Sequence, residues 1–180
     1  KANLRRRGRG GGVGGARPGG RQVWRRKLAL TVVAVTGSIG KTTSREVVSG
    51  VLEQRYRVLR SEGNLNTEIG VPLSIMRGSP GHQVVVLEMG MYALGEIRGL
   101  ARLAQPDIGV VTNVGPTHLE RLGSLENIAE AKSELVPELP AEALAVLNGA
   151  DPGGRPMRRT HAARVASYRR GPQGALPRRR

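Results

Sequence analysis

Short apolar runs rich in β-branched residues alternate with stretches of helical periodicity through the middle of the chain. The runs predict buried strands at 30–35, 84–87, 108–112 and 143–147, and the periodic stretches predict helices at 41–54, 96–103 and 125–135. Such alternation is typical of βαβ units, and strands that are apolar on both sides need helices on both faces of the sheet. We therefore predict an α/β fold with a doubly wound, mostly parallel sheet, whose ligands bind at the carboxyl ends of the strands.

The side-chain composition limits what kind of core this fold can have. The 180 residues include one Trp, three Tyr and no Phe, so the core must be aliphatic. In the first predicted helix we expect Val47, Val48, Val51 and Leu52 to share the buried face. The absence of cysteine excludes a disulfide framework and a thiolate metal site, and it fits a cytoplasmic location. No apolar run reaches the ~20 residues that span a bilayer.

Basic residues are concentrated at the two ends of the chain. The formal net charge is +15, yet residues 1–27 hold ten Lys and Arg without an acid, and residues 151–180 hold nine Arg against one Asp. The segment between them has a net charge of −3. Both ends are also glycine-rich, so we predict a disordered segment at 1–27, one domain at 28–152 and a disordered or poorly packed tail at 153–180. A nucleic-acid-binding protein is an alternative that only these ends support, and we expect neither a nucleic-acid partner nor membrane insertion.

The segment VVAVTGSIGKTT joins the first predicted strand to the first helix. Its backbone N–H groups can surround a phosphate, because glycines allow tight curvature and a helix N-terminus adds positive potential. Lys41 would reach the β- and γ-phosphates, and the Thr42 hydroxyl would face Mg²⁺. A glycine-containing turn into an ordinary helix is the alternative. The order of strand, loop, Gly-Lys-Thr and helix favours nucleotide binding by Gly37, Ser38, Gly40, Lys41, Thr42 and Thr43.

The loop TGSIGKTT resembles the shortened phosphate-binding loop of the Mur ligases and their folylpolyglutamate synthetase relatives, with Ile39 where Asn or Lys is common. The segment GNLNTEIGVP is similar to a loop of those Mur ligases that add D-alanyl-D-alanine to a UDP-muramoyl tripeptide. Asn64, Asn66 and Thr67 are short polar side chains that suit a polar substrate, although Gly and Asn are also common turn residues. The resemblance implies that these three residues contact the substrate.

Three segments further along the chain also resemble the family: LEMGM, TNVGPTHLERLG and AEAKSELV. They imply that Glu88, His118 and Lys132 bind Mg²⁺ with Thr42, and that His118 and Lys132 act with Lys41 in catalysis. They also imply nucleotide binding by the residue after the third predicted strand, Asn113. In the family the lysine is typically carbamylated by CO₂. Simpler interpretations are a helix-capping Glu88, a surface or packing His118, and an exposed Lys132 paired with a glutamate.

The last matching segment is ALAVLNGADP, which resembles a strand and turn whose Asn contacts adenine and so assigns that contact to Asn148. Ala150 stands where an Asp is usual. The resemblance covers about residues 28–152. It implies a cytoplasmic, monomeric enzyme of peptidoglycan precursor synthesis that uses ATP and Mg²⁺ to phosphorylate a carboxylate and then joins the acyl phosphate to an amine.

The implied partners are a UDP-N-acetylmuramoyl peptide and D-alanyl-D-alanine. Because the chain starts at Lys1 and has little sequence outside the matched region, we expect a fragment with an incomplete sheet that binds nucleotide but does not complete ligation. The alternatives are a Mur-type ligase for another amino acid, a folylpolyglutamate synthetase-like enzyme, and a non-catalytic nucleotide-binding module. The last of these would have no need of Glu88, His118 and Lys132 together.

Overall fold

The computed structural model describes residues 30–154, 156–158 and 163–169. Within these residues a single sheet has the strands β1 Thr31–Thr36, β2 Val58–Arg60, β3 Val84–Glu88, β4 Ile108–Val111, β5 Leu144–Asn148 and β6 Arg164–Tyr168. All neighbouring strands are parallel, in the order β2-β3-β1-β4-β5-β6. The helices are α1 Lys41–Glu53, α2 Gly70–Met76, α3 Glu96–Ala104, α4 Leu119–Leu122 and α5 Leu125–Ser133, and single 3₁₀ turns lie at Pro152–Gly154 and Pro156–Arg158. The predicted α/β fold with a parallel sheet is confirmed.

Helices cover both faces of the sheet, as the apolar strands require. In β1, Val32 and Ala34 face one layer, which contains α2, α3 and α5, and Val33 and Val35 face the layer of α1. Every apolar residue buried in these two clusters is aliphatic or methionine. The core is therefore aliphatic, as the composition predicted.

The buried face of α1 differs from the one we expected. Val48 and Leu52 pack against the sheet, whereas Val47 and Val51 are 60% and 67% exposed. Residues three and four positions apart share a helix face, so the inner face that includes Val48 and Leu52 also includes Arg45 and Ser49, and both are buried. A buried arginine is tolerated there because carboxylates lie beside it. The positions of the apolar residues alone did not reveal that an arginine belongs to the buried face.

The expected boundary at residue 152 is wrong for the part of the tail that the structure describes. Strand β6 pairs with β5 along its whole length, from Leu144↔Arg164 to Asn148↔Tyr168. Met157 and Ala163 are buried in the main core. Pairing through backbone groups does not require an apolar sequence, and so the Arg-rich composition concealed the strand. The predicted disorder at 1–27 lies outside the described residues.

The carboxyl ends of β1, β3 and β4 meet at the centre of the sheet. The chain leaves β1 and returns on one side as β3 and on the other side as β4, with the registers Val35↔Glu88 and Thr36↔Val111. This reversal is the switch point where open α/β sheets bind ligands. It brings the loop after β1 close to Glu88 and to the residues that follow β4. None of the helices in the described part of the chain is long and apolar enough to cross a membrane.

Candidate phosphate-binding site and cleft

The loop between β1 and α1 has the geometry of a phosphate-binding loop. Gly37 and Gly40 have φ angles of +141° and +82°, a region that favours glycine. A Cβ atom on Gly37 would lie 1.9 Å from Thr112 Oγ1, so the space also requires glycine at this position. Lys41, the first residue of α1, places its Nζ 3.0 Å from the Gly37 carbonyl oxygen, which it donates to. Its charge therefore lies over the loop.

Two residues that we predicted to bind nucleotide hold the loop in shape. The Asn113 side chain accepts from the backbone N–H of Ile39 and donates to its carbonyl, both at 2.9 Å. The Ser38 hydroxyl lies 2.9 Å from both the N–H and the carbonyl oxygen of Gly115. Both side chains therefore form hydrogen bonds within the protein, and these bonds fix the direction in which the loop N–H groups point.

A chain of hydrogen bonds joins the phosphate loop to the predicted substrate loop through Glu88. Thr42 Oγ1 donates to Glu88 Oε2 at 2.8 Å, and Asn66 Nδ2 donates to Glu88 Oε1 at 3.1 Å. The carboxylate is only 4% exposed. Arg45 Nη1 lies 3.6 Å from Oε2, and the Glu88 backbone N–H donates to Ser61 Oγ. Residues from three separate motifs are thus brought into contact.

A cleft of about 930 Å³ opens beside this chain of hydrogen bonds. The three predicted catalytic residues, Lys41, His118 and Lys132, all line it. So do the three predicted substrate residues, Asn64, Asn66 and Thr67. The segment after β3 and residues along α3 also line it. A molecule held in this cleft would contact both predicted groups at once.

Lys132 is an unusual lysine, because it is buried without a counter-charge. It is 1% exposed, and no hydrogen bond or ion pair links its side chain to the rest of the described chain. Burial, and then the nearby charge of Lys41, lower the pKa of Lys132 to about 8. The environment therefore disfavours a cation at this position and suits a neutral or negative group.

His118 is held in a backbone conformation that is uncommon for residues other than glycine. Its φ is +61°, and its ring meets Tyr92 edge to face with 5.4 Å between centroids. The Arg121 guanidinium lies 4.7 Å from the centroid of the same Tyr92 ring. Tyr92 also lines the cleft, and sequence reasoning missed it, although it directly follows the LEMGM segment.

The predicted metal ligands lie in two pairs. Thr42 and Glu88 are in direct contact, and His118 and Lys132 share the cleft. Among the described residues there is no group of three or more His, Asp or Glu side chains arranged to hold a metal ion. The set of four metal ligands therefore stays a prediction. An ion bound by both pairs would need Thr42 and Lys132 as ligands in addition to Glu88 and His118.

The predicted adenine contact, Asn148, has its side-chain amide occupied within the chain. Nδ2 donates to the Thr112 carbonyl at 3.2 Å, and Oδ1 accepts from the Ala150 N–H at 3.0 Å. Thr43 is exposed on the first turn of α1. Neither observation tests the nucleotide contacts, which stay predictions.

Two buried charged residues near the site were not predicted. Arg45 contacts Glu88 as described, and nothing in its local sequence marks it. Glu134 is 3% exposed and accepts from the backbone N–H groups of Gly95 and Arg98, at 2.6 and 3.1 Å. It therefore caps α3, which forms a wall of the cleft. Its position two residues after Lys132, inside a matched segment, was a signal that could have found it.

A parallel sheet with a glycine loop that leads from the central strand into a helix at the switch point defines a phosphate-loop domain of the α/β class. The family model of the Mur ligase middle domain matches residues 35–174. The chain belongs to this family.

Its relatives are much longer proteins. The UDP-N-acetylmuramoyl-tripeptide D-alanyl-D-alanine ligase of Synechocystis sp. is 45% identical over 125 residues, which are 69% of this chain and 28% of the relative. Among solved structures, MurF from Acinetobacter baumannii has a TM-score of 0.78 at 31% identity, with 86% of this chain and 34% of that chain covered. MurF ligase from Thermotoga maritima in complex with ADP has a TM-score of 0.75 at 36% identity, covering 87% and 36%.

Proposed function

We propose that this chain is the ATP-binding part of a ligase that joins D-alanyl-D-alanine to a UDP-N-acetylmuramoyl tripeptide in peptidoglycan precursor synthesis. The observation that carries the proposal is the contact chain Thr42–Glu88–Asn66, which couples the phosphate loop to the loop that resembles this type of ligase. The name of the Synechocystis relative supports the same reaction. The enzyme would act as a monomer in the cytoplasm, where ATP is available.

The phosphate loop is the part of the site that binds ATP in this proposal. Backbone N–H groups at the start of α1 bind the phosphates, and Lys41 adds a positive charge beside them. Ser38 and Asn113 keep the loop in this shape through bonds to Gly115 and Ile39. The complex of the Thermotoga maritima relative with ADP supports a nucleotide in this domain.

The chain's donor groups fit a divalent cation at the same edge of the sheet. Glu88 is a buried carboxylate next to the Thr42 hydroxyl, and oxygen ligands of this kind suit Mg²⁺. A carbamate on Lys132 would replace a disfavoured cation by an anion near Lys41, which agrees with the lowered pKa. Bound Mg²⁺ would spread the negative charge that develops during phosphoryl transfer.

The cleft would hold the acceptor peptide. Asn64, Asn66 and Thr67 supply hydrogen-bonding groups on one wall, and Lys41 lies at the end nearest the phosphate loop. A substrate carboxylate held there would attack the terminal phosphorus of ATP, the bond from that phosphorus to the bridging oxygen would break, and ADP would leave as the acyl phosphate forms. The amine then attacks its carbonyl carbon and phosphate leaves. The chain's contribution is to position these groups, which supplies much of the catalysis in phosphoryl transfer.

Isothermal titration of Mg·ADP and Mg·ATP into the 180-residue chain tests the nucleotide part of the proposal. Saturable binding at one site is expected, and no heat of binding at millimolar nucleotide would refute it.

A hybrid enzyme tests the reaction. The matched region of the Synechocystis ligase is replaced by this chain, and product formation is assayed with D-alanyl-D-alanine, glutamate or a diamino acid as the amine. Preference for D-alanyl-D-alanine is expected. Preference for a single amino acid would instead favour another Mur-type ligase.

A further inference from the structure

The carbonyl of Thr112 accepts two hydrogen bonds from the last two strands of the sheet. Tyr168 Oη donates to it at 3.0 Å, and Asn148 Nδ2 donates at 3.2 Å. Tyr168 and Asn148 are register partners at the carboxyl ends of β6 and β5. The two strands therefore hold one backbone group that lies immediately after β4.

Thr112 in turn contacts the last residue of β1 and, at two points, the phosphate loop. Its N–H donates to the Thr36 carbonyl at 3.0 Å, and its hydroxyl donates to the Ile39 carbonyl at 2.8 Å. Its Oγ1 occupies the space into which a Cβ on Gly37 would project, 1.9 Å away. Thr112 is buried, so it has little freedom to move without moving the loop.

We propose that Tyr168 is a positioning residue for the phosphate loop, which it holds in place through the Thr112 carbonyl. The proposal rests on the function proposed above for this loop. It gives strand β6 a part in nucleotide affinity, although Tyr168 lies 128 residues beyond Gly40 and β6 contributes no residue to the loop itself.

The Tyr168 hydroxyl is suited to a constant donor role. Burial, and then the nearby charge of Asp151, raise the pKa of Tyr168 above its ordinary value. The phenol therefore stays protonated throughout the neutral range and keeps its proton for the Thr112 carbonyl. The ring is partly buried, so phenylalanine fits the same space.

The test compares Tyr168→Phe with Tyr56→Phe in the 180-residue chain. Tyr56 lines a separate cavity with Thr31 and Val84, at the opposite ends of the strands, so its variant is a matched control. Titration of Mg·ADP should show affinity about threefold to tenfold weaker for Tyr168→Phe, the factor that one neutral hydrogen bond is worth. Tyr56→Phe should bind ADP within about twofold of the parent chain, because this substitution removes no hydrogen bond that holds the loop.

AMP distinguishes an effect on the loop from a general loss of structure. The loop lysine of such sites reaches the β-phosphate, which AMP lacks, so the ratio of ADP to AMP affinity should fall in Tyr168→Phe. An equal loss for both nucleotides, or unchanged ADP affinity, would overturn the proposal.

A second measurement is independent of nucleotide binding. In amide NMR spectra of the nucleotide-free chain, Tyr168→Phe should shift the signals of Ile39 and Gly40, and Tyr56→Phe should leave them in place. If the parent chain binds no ADP, the proposed function fails, and these spectra still decide the role of Tyr168. Loop signals that are the same in Tyr168→Phe and the parent would show that the tyrosine does not position the loop.

Discussion

At the scale of single residues, Lys41 places its charge over the phosphate loop and not in the core. We predict that Lys41→Ala removes Mg·ADP binding and leaves the midpoint of thermal unfolding close to that of the parent chain. Arg55→Ala is the control, because Arg55 is an exposed cation just beyond α1. Titration calorimetry and thermal unfolding measure both quantities. Equal ADP affinity in Lys41→Ala and the parent would contradict the assignment of the loop.

Lys132 makes the stability of the domain depend on pH in a defined window. Its pKa is about 8 in the folded chain, and an unfolded lysine has a pKa of about 10.4. Between these two values the unfolded state binds more protons, so stability should rise with pH over that range. Below pH 8 the buried amine should lower stability relative to Lys132→Met by on the order of 1–3 kcal/mol.

The measurement is urea unfolding of both proteins at pH 7 and at pH 10, in CO₂-free buffer with a chelator. The stability advantage of Lys132→Met should be largest at pH 7 and should shrink at pH 10. A difference between the two proteins that is the same at both pH values would show that the lysine is not desolvated.

At the scale of elements, α3 depends on a carboxylate from another part of the chain. Glu134 accepts from two backbone N–H groups at the start of α3 with its two oxygens. Glu134→Gln should lower the free energy of unfolding by about 1–3 kcal/mol, because the amide NH₂ cannot accept and leaves a buried donor unpaired.

Glu138 supplies the matched control. It forms a salt bridge with the same helix through Arg102, whose side chain is 66% exposed. Exposed ion pairs contribute at most about 1 kcal/mol, so Glu138→Gln should change stability little. Similar losses in the two variants, measured by urea unfolding, would contradict the capping role of Glu134.

Gly50, within α1, and Gly40, immediately before it, test how the backbone conformation of a glycine affects stability. Neither Gly50 nor Gly40 has an atom within 4 Å of the position of an added Cβ, but only Gly40 has a positive φ, of +82°. Gly50→Ala should therefore stabilise the domain by about 0.5–1 kcal/mol, and Gly40→Ala should cost about 1–2 kcal/mol. Thermal unfolding of the two variants measures both signs. Destabilisation by Gly50→Ala would show that the space beside Gly50 on the helix surface does not accept a methyl group.

The sequence predicts elements and motifs better than it predicts how they are joined. β1, β3, β4 and β5 were predicted because each is a short apolar run rich in β-branched residues, and α1 was predicted because its sequence has helical periodicity. Strand β2 has only three residues and ends on a charged residue, Arg60, so it has no pattern of its own. The contact of Asn113 with Ile39 spans 74 positions and depends on strand order, which no local pattern encodes. Sequence reasoning could therefore name Asn113 without revealing that it holds the loop.

At the scale of the whole molecule, the chain spans 28% of the length of its Synechocystis relative. We predict that the 180-residue chain, supplied with ATP, Mg²⁺, the UDP-muramoyl tripeptide and D-alanyl-D-alanine, does not form product at the ~1 s⁻¹ or faster that is normal for an enzyme. Without further parts to hold the amine, the advantage of a bound near-attack geometry, worth ~7–11 kcal/mol, is lost. A coupled assay for ADP and product measures this, with the hybrid ligase as positive control. Normal turnover by the chain alone would contradict the prediction.

The order of strands also determines when the site can form during synthesis. Neither strand that pairs with β1 is close to it in sequence. One edge of β1 pairs with β3, beginning at Thr31↔Val84, and the other edge pairs with β4. Ser38 reaches its partner Gly115 across 77 positions. A ribosome must therefore release most of the domain before the loop, which it makes early, takes its final shape. Parallel pairing of this kind is slow to form and leaves apolar strands exposed for longer. If the loop binds nucleotide as proposed, the nucleotide can therefore stabilise this domain only after most of the domain has been synthesised.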